Sequence, residues 1–373
     1  MELNVHQAPQ RARQLRNERG ITLIELMISM ALSLVVVGAV SYVYVGARGA
    51  YRSNEGLART QEIGRFGLDY IASDLRMVSF AGCRSRNLTT DRMLMIARPV
   101  VNFNGVASGV TGFEDGTGWP NATGITRLRG DVFSIRRAAG AGAEIFANTV
   151  IGTPSVTIKD NCPRFRKSDV VMLASCERAF VFRVTNDPAT TCTTTPTAVT
   201  LEHQATGAGI GGVDGNGNNG IVSGSTSHQL YDNWKFHGET RAMVYRFDDI
   251  AYFIGQNPAG RPGLYRTSSN GGTEELVENV EDMDVLYGVD TSVPADGIAE
   301  NYVRADQVAD WGQVIALRLS LVAVSPEAAL TTQTQTYVLR DTNADGTLDR
   351  QNAADSRLRQ VFTTTIALRN RVL

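Results

Sequence analysis

The chain has 373 residues, of which 43% are hydrophobic and 20% charged, with a net charge of −2. That length holds a globular region of one or two domains besides any anchor. The near-neutral balance, without clustered Lys and Arg, argues against a nucleic-acid-binding surface. The first twenty residues carry Arg11, Arg13, Arg16 and Arg19 against Glu2 and Glu18. By the positive-inside rule this basic flank keeps the N-terminus cytoplasmic and sends the rest across the membrane. From Ile21 to Ala47 the one charge is Glu25, and the run exceeds the roughly 20 residues that cross a bilayer as a helix. A secretory signal peptide is cut after its apolar core, whereas here Gly20 stands before the core, so cleavage there leaves the helix on the product. A carboxylate in hydrocarbon needs a partner, which marks Glu25 as a functional group. The plainer alternative is an ordinary signal anchor.

The stretch Gly20-Ile21-Thr22-Leu23-Ile24-Glu25-Leu26-Met27 resembles the class III leader junction and N-terminal helix of type IV pilins and pseudopilins. The resemblance implies that a prepilin peptidase cuts between Gly20 and Ile21 and N-methylates Ile21. It also implies that Glu25 pairs with the terminal amine of a neighbouring subunit in a fibre. Two departures are Ile21, where the family usually has Phe, and Tyr42, where it often has Pro.

After the anchor, Leu57, Ile63, Phe66, Tyr70, Ala72, Leu75 and Met77 recur at helical spacing among Arg59, Glu62, Arg65, Asp69, Asp74 and Arg76. This predicts an amphipathic continuation from Arg48 to about Phe80. Joined to the anchor it makes one helix of roughly 58 residues, about 87 Å long. Gly38, Gly46, Gly49, Gly56, Gly64 and Gly67 each weaken such a helix by up to about 1 kcal/mol relative to Ala.

From Cys83 the pattern turns to short β-rich runs with polar connections. Strands are expected at 132–137, 156–159, 170–174, 179–185, 198–203, 242–247, 250–255, 263–267, 280–289, 314–324, 334–340 and 361–368. The runs 242–247 and 250–255 read as a tight hairpin broken at Asp248-Asp249, and Asn270-Gly271-Gly272 supplies another turn. Stretches 104–124 and 205–227 read as flexible loops. Within the head, the segments Glu278–Asp290, Val314–Leu321 and Phe362–Arg371, with Gly82-Cys83 and Ser175-Cys176, are similar to the PilW group of minor pilins. The bland reading is that they are alternating core strands.

Cys83, Cys162, Cys176 and Cys192 lie beyond the anchor, on the oxidising side, and fit no zinc spacing, so two disulfides are expected. Three connectivities are open. Antiparallel pairing of 169–174 with 179–185 would put Cys162 and Cys192 near one end and Cys176 at the other, and the expected pairing is Cys162–Cys192 with Cys83–Cys176. Asp341, Asn343, Asp345, Thr347 and Asp349 match the spacing of a calcium loop, with Gly346 at the sharp turn. Position 12 is Asn352 in place of a bidentate Glu, and Asp355 is the substitute from further on. An acidic hairpin turn is the alternative. No organic cofactor is implied. His6, His203, His228 and His237 sit in no catalytic or metal spacing and read as surface or loop residues, so the chain is not expected to be an enzyme. Trp119, Trp234 and Trp311 read as core or interface anchors, and Arg164-Phe165-Arg166-Lys167 as the solvated start of a strand.

The expected fold is α+β: a long N-terminal helix, half membrane-embedded and half amphipathic, packed on a mostly antiparallel β-sheet head. The segments are a leader at 1–20, a transmembrane and polymerisation half at 21–47, an amphipathic half at 48–80 and a periplasmic head at 81–373, with a subdomain division near 205–240. The resemblance implies a minor pilin that primes pilus assembly or caps the tip. Its partners would be other minor pilins and the major pilin through the helix, the prepilin peptidase, the inner-membrane assembly platform and a tip adhesin. It would sit in the inner membrane before assembly and in the fibre at the cell surface afterwards. A J-like pseudopilin of a type II secretion system and an adhesin or DNA-uptake subunit are the alternatives.

Overall fold

The computed structural model describes residues 20–80, 93–95, 109–145, 155–160, 164–174, 179–188, 195–203, 242–328, 334–340, 348–353 and 355–372. One helix, α1, runs Leu23–Leu75. The chain divides into two compact units between Glu55 and Gly56. In the first, α1 presents exposed apolar side chains from Leu23 to Val45, and this part is long and apolar enough to cross a membrane. Its hydroxyls are turned back on the helix: Ser29 Oγ donates to Glu25 O at 2.7 Å and Ser33 Oγ to Met30 O at 2.9 Å. That satisfies polar atoms where lipid offers no partner.

In the second unit, α1 buries Gly56, Thr60, Gly64, Gly67, Ile71, Ala72 and Leu75. This line differs from the apolar stripe expected from periodicity, since Leu57, Phe66, Tyr70 and Met77 are exposed. The reason is steric. A Cβ on Gly64 would stand 2.1 Å from Phe362 Cδ2, and one on Gly67 2.9 Å from Leu321 Cδ1, so the glycines let the helix sit close on the sheet. The helix also ends earlier than expected, at Leu75, before turns at 76–79.

The strands are β1 (Met93–Met95), β2 (Val110–Phe113), β3 (Val132–Glu144), β4 (Ser155–Asp160), β5 (Val170–Ala174), β6 (Ala179–Arg183) and β7 (Thr197–Glu202). They continue with β8 (Met243–Gln256), β9 (Pro262–Ser268), β10 (Gly272–Glu278), β11 (Val280–Val289), β12 (Asn301–Val303) and β13 (Val314–Val324). The last are β14 (Thr336–Val338), β15 (Arg350–Asn352) and β16 (Arg359–Ala367). Among the described residues, an eight-stranded sheet has the order β1-β6-β5-β8-β3-β2, with β9 and β10 branching from β8, and a four-stranded sheet has the order β12-β11-β13-β16. The pairs β4–β7 and β14–β15 stand apart. All pairings are antiparallel except β1 with β6. The α+β architecture expected from the sequence is therefore the one observed. Because β8 pairs with β3 and β5, the large sheet runs across the stretch 204–241.

Two expectations are corrected. The hairpin at Asp248-Asp249 is one continuous strand, β8. The register puts Asp249 opposite Arg136 and Asp248 opposite Arg137 on β3, so cross-strand charge replaces the turn that two acids suggested. The loop at 104–124 contains β2 and a 3₁₀ turn at Glu114–Gly116. The core between α1 and the two larger sheets gathers Ile71, Leu75, Phe133, Tyr252, Val285, Leu319 and Leu321, with the Phe133 and Tyr252 rings stacked at 5.1 Å.

Candidate functional site

At the start of α1, the hydroxyl of Thr22 and the carboxylate of Glu25 cap the helix reciprocally. Thr22 donates to Glu25 Oε2 through its N–H at 3.0 Å and its Oγ1 at 2.9 Å, and Glu25 N–H donates to Thr22 Oγ1 at 3.3 Å. This Thr-x-x-Glu pattern satisfies orphan donors of the first turn. Both side-chain contacts fall on Oε2, so Oε1 has no partner among the described residues. Gly20 and Ile21 lie just ahead of the helix and are exposed. A cation approaching the first turn meets a carboxylate already oriented.

A second concentration of charge lies on β11. Met283, Val285 and Tyr287 face the core, and Asp282 and Asp284 lie on the opposite face. Arg340 pairs with Asp282 and stands 3.9 Å from Asp284, while Arg129 reaches Asp282 at 3.4 Å. Asp131 accepts from Asp115 N–H and Val285 N–H, each at 2.8 Å. Gly130, at φ +102°, allows this approach, because a Cβ there would lie 2.7 Å from Asp282 Oδ1. Burial pushes Asp284 up to about 7, with Asp131 repelling and Arg340 opposing. Burial likewise raises Glu114 to about 7, and Asp131 adds to the shift. The cluster binds the turn at 114–131 and the end of β14 to β11. Beside it, Glu114 Oε2 and Tyr287 Oη are buried without a hydrogen-bond partner among the described residues.

Asp290, Asp296 and Glu300 also bring carboxylate oxygens within 4.8 Å of one another. Several of their oxygens accept bonds that close the loop. Asp290 accepts from Ser292 and Gly297, and Glu300 from Thr291 N–H at 2.7 Å.

The other residues singled out from the sequence are dispersed. Cys83, Cys162, Cys176 and Cys192 lie outside the described residues, as do Asp341, Asn343, Asp345, Thr347, His6, His228, His237 and Trp234. The flanks of the calcium-loop sequence are strands, β14 and β15, with Asp349 N–H donating to Arg340 O at 2.8 Å. Asp355 pairs with Arg357 and Arg359, each at 2.7 Å. Burial works against its ionisation, yet these arginines hold its carboxyl down at about 2. His203 is a correction: it is buried, with its ring 4.9 Å from that of Phe182 and 5.4 Å from that of Phe180. Trp119 is core, beside Phe253 at 4.9 Å, and Trp311 packs edge-on against Tyr287. Phe165 is buried between exposed Arg164 and Arg166.

Comparison with known proteins finds two family models. Residues 15–41 match the Prokaryotic N-terminal methylation motif, and residues 251–370 match Type IV Pilus-assembly protein W. A solved type IV-like pilin from Thermus thermophilus matches at 19% identity over 34% of this chain and 67% of that one, with a TM-score of 0.22. No curated protein matches.

Proposed function

We propose that this type IV pilin-like chain, with its methylation motif and PilW segment, is a minor pilin. It is a structural subunit, not an enzyme, that enters a pilus through α1 and primes assembly or caps the fibre tip. The observation that carries this reading is that one chain joins the methylation motif at 15–41, leading into an exposed apolar helix, to a PilW match at 251–370. In this reading a prepilin peptidase cuts between Gly20 and Ile21, Ile21 is N-methylated, and the head faces the periplasm and then the cell surface. Glu25 keeps its Oε2 bonds to Thr22 and offers Oε1 to a neighbouring subunit's terminal ammonium. In lipid that cation supplies a charge-assisted partner that the hydrocarbon cannot. Its partners are other pilins, the peptidase and the inner-membrane assembly platform.

Mass spectrometry of the mature protein tests the first step: the expected N-terminus is N-methyl-Ile21, and one at Met1 contradicts the reading. Glu25→Ala is expected to cut recovery in sheared fibres about ten-fold or more, the scale of leaving a cation in lipid without its partner, and undiminished recovery counts against it. The proposal also includes two disulfides and a calcium ion in the loop at 341–349. Calcium should raise the melting temperature of the wild type but not of Asp345→Ala, and an unmoved wild type removes the metal from the proposal.

A further inference from the structure

One side of β16 is free of a strand partner among the described residues. This strand ends the four-stranded sheet, with β13 on one side. Hydrogen bonding alternates along a strand, and its phase is fixed here at both ends. Leu368 N–H, just past the strand, donates inward to Ile315 O at 2.8 Å. Arg359, at the other end, bonds outward: its N–H donates to Gln335 Oε1 at 2.8 Å and its carbonyl accepts from Gln335 Nε2 at 2.6 Å. The Gln335 amide thus imitates one residue of a further strand. By the same parity, Thr363, Thr365 and Ala367 turn their N–H and C=O groups outward. All three are exposed, and no backbone partner stands beside them among the described residues.

An open edge of this kind is a template for strand addition, and proteins usually blunt it with Lys, Pro or a covering segment. This one instead faces a groove of about 470 Å³ whose other wall is the flank of α1 carrying Arg65, Asp69 and Arg76, with Arg369 at one end. The three arginines form no ion pair among the described residues, and Asp69 is the one acid in the lining. Guanidinium groups beside a free edge suit carboxylates on an incoming strand. Pairing with a second copy would set the same arginines against one another and is disfavoured.

We propose that Thr363–Ala367 binds an extended acidic segment of another polypeptide as an added strand. Backbone bonds to β16 would supply the affinity, and Arg65, Arg76 and Arg369 the preference for acidic side chains. Every residue involved lies in the unit from Gly56 onward, and the site stands whether or not the chain is a pilin.

The full chain in detergent micelles, immobilised, is panned against a displayed library of random decapeptides, alongside Thr365→Pro and the double variant Arg65→Glu/Arg76→Glu. Proline removes an outward donor and fits an edge strand, and the double variant changes exposed positions on α1 and in the turn just past it, so it tests the idea even if Thr365→Pro unfolds. Peptides with alternate acidic residues and no proline should be enriched on the wild type and fall about ten-fold on each folded variant. Absence of enrichment, enrichment without acidic bias, or peptides that bind the variants equally well would overturn the proposal. So would a wild-type dimer that Thr365→Pro dissolves, which would assign the groove to a second copy.

Discussion

Asp74 receives bonds from three strands of the head. Tyr252 Oη on β8 and Arg266 Nε on β9 donate to its Oδ2, and Arg137 on β3 reaches its Oδ1 at 2.8 Å. Its side chain is 13% exposed, so removing the carboxylate takes this partner from Arg137, itself 16% exposed, and leaves Arg266 with Glu274. Asp74→Ala is expected to cost about 3 kcal/mol, as breaking a buried pair does. Asp74→Asn keeps an acceptor and should cost clearly less. Urea unfolding followed by circular dichroism measures both, and two equally mild variants would show that the carboxylate is not an anchor. In the sequence, Asp74 belongs to the polar face of an amphipathic helix. Spacing separates apolar from polar positions but does not distinguish a carboxylate in water from one matched by Arg137 and Arg266, which are distant in the chain. Glu25 is the opposite case. It was legible because its surroundings are local: one acid in an unbroken apolar run; the cap from Thr22 came only with the structure.

At the level of elements, α1 in the second unit inverts the usual rule for helical glycine. Gly64→Ala should gain up to about 1 kcal/mol from helix propensity, but its methyl would fall on the Phe362 ring, and overpacking of this kind costs about 1–3 kcal/mol. A net loss is expected, relieved when Phe362→Ala is added. Gly49→Ala, with nothing within 4 Å of its Cβ, should follow propensity and not destabilise. A Gly64→Ala as benign as Gly49→Ala in thermal melts would refute the close approach. The same packing explains which elements could be read beforehand. Strands β5 and β13 are apolar runs buried almost throughout, so they announce themselves wherever they pair. β8 did not, because Asp248-Asp249 looks like a turn until Arg136 and Arg137 stand opposite. The groove beside β16 was equally hidden, since its walls come from residues near 70 and near 365.

For the whole molecule, the carboxylates buried between elements make stability depend on pH in a definite direction. Burial raises Asp284 and Glu114 to about 7 and Asp249 to about 6, against Arg340, Arg304 and Arg136 respectively, whereas unfolded carboxyls titrate near about 4. Between these values the folded chain holds more protons than the unfolded one, so unfolding free energy falls as pH rises through the window. Asp355 works in the opposite sense. Held at about 2, it contributes stability above the unfolded value that is lost as pH falls from about 4 towards 2. The two effects together set a maximum near pH 4. Melting of the full chain in detergent should therefore rise by several degrees from pH 8 towards pH 4 and fall again below about pH 3. Asp284→Asn removes one buried charge while Asp131, Asp282, Glu114 and Arg340 still surround the site, so it should flatten the upper limb and raise the melting temperature most at pH 8. A curve flat from pH 5 to 8, or an Asp284→Asn variant with the wild-type slope, would mean that these carboxylates are ionised at little cost and that the acidic face of β11 is hydrated.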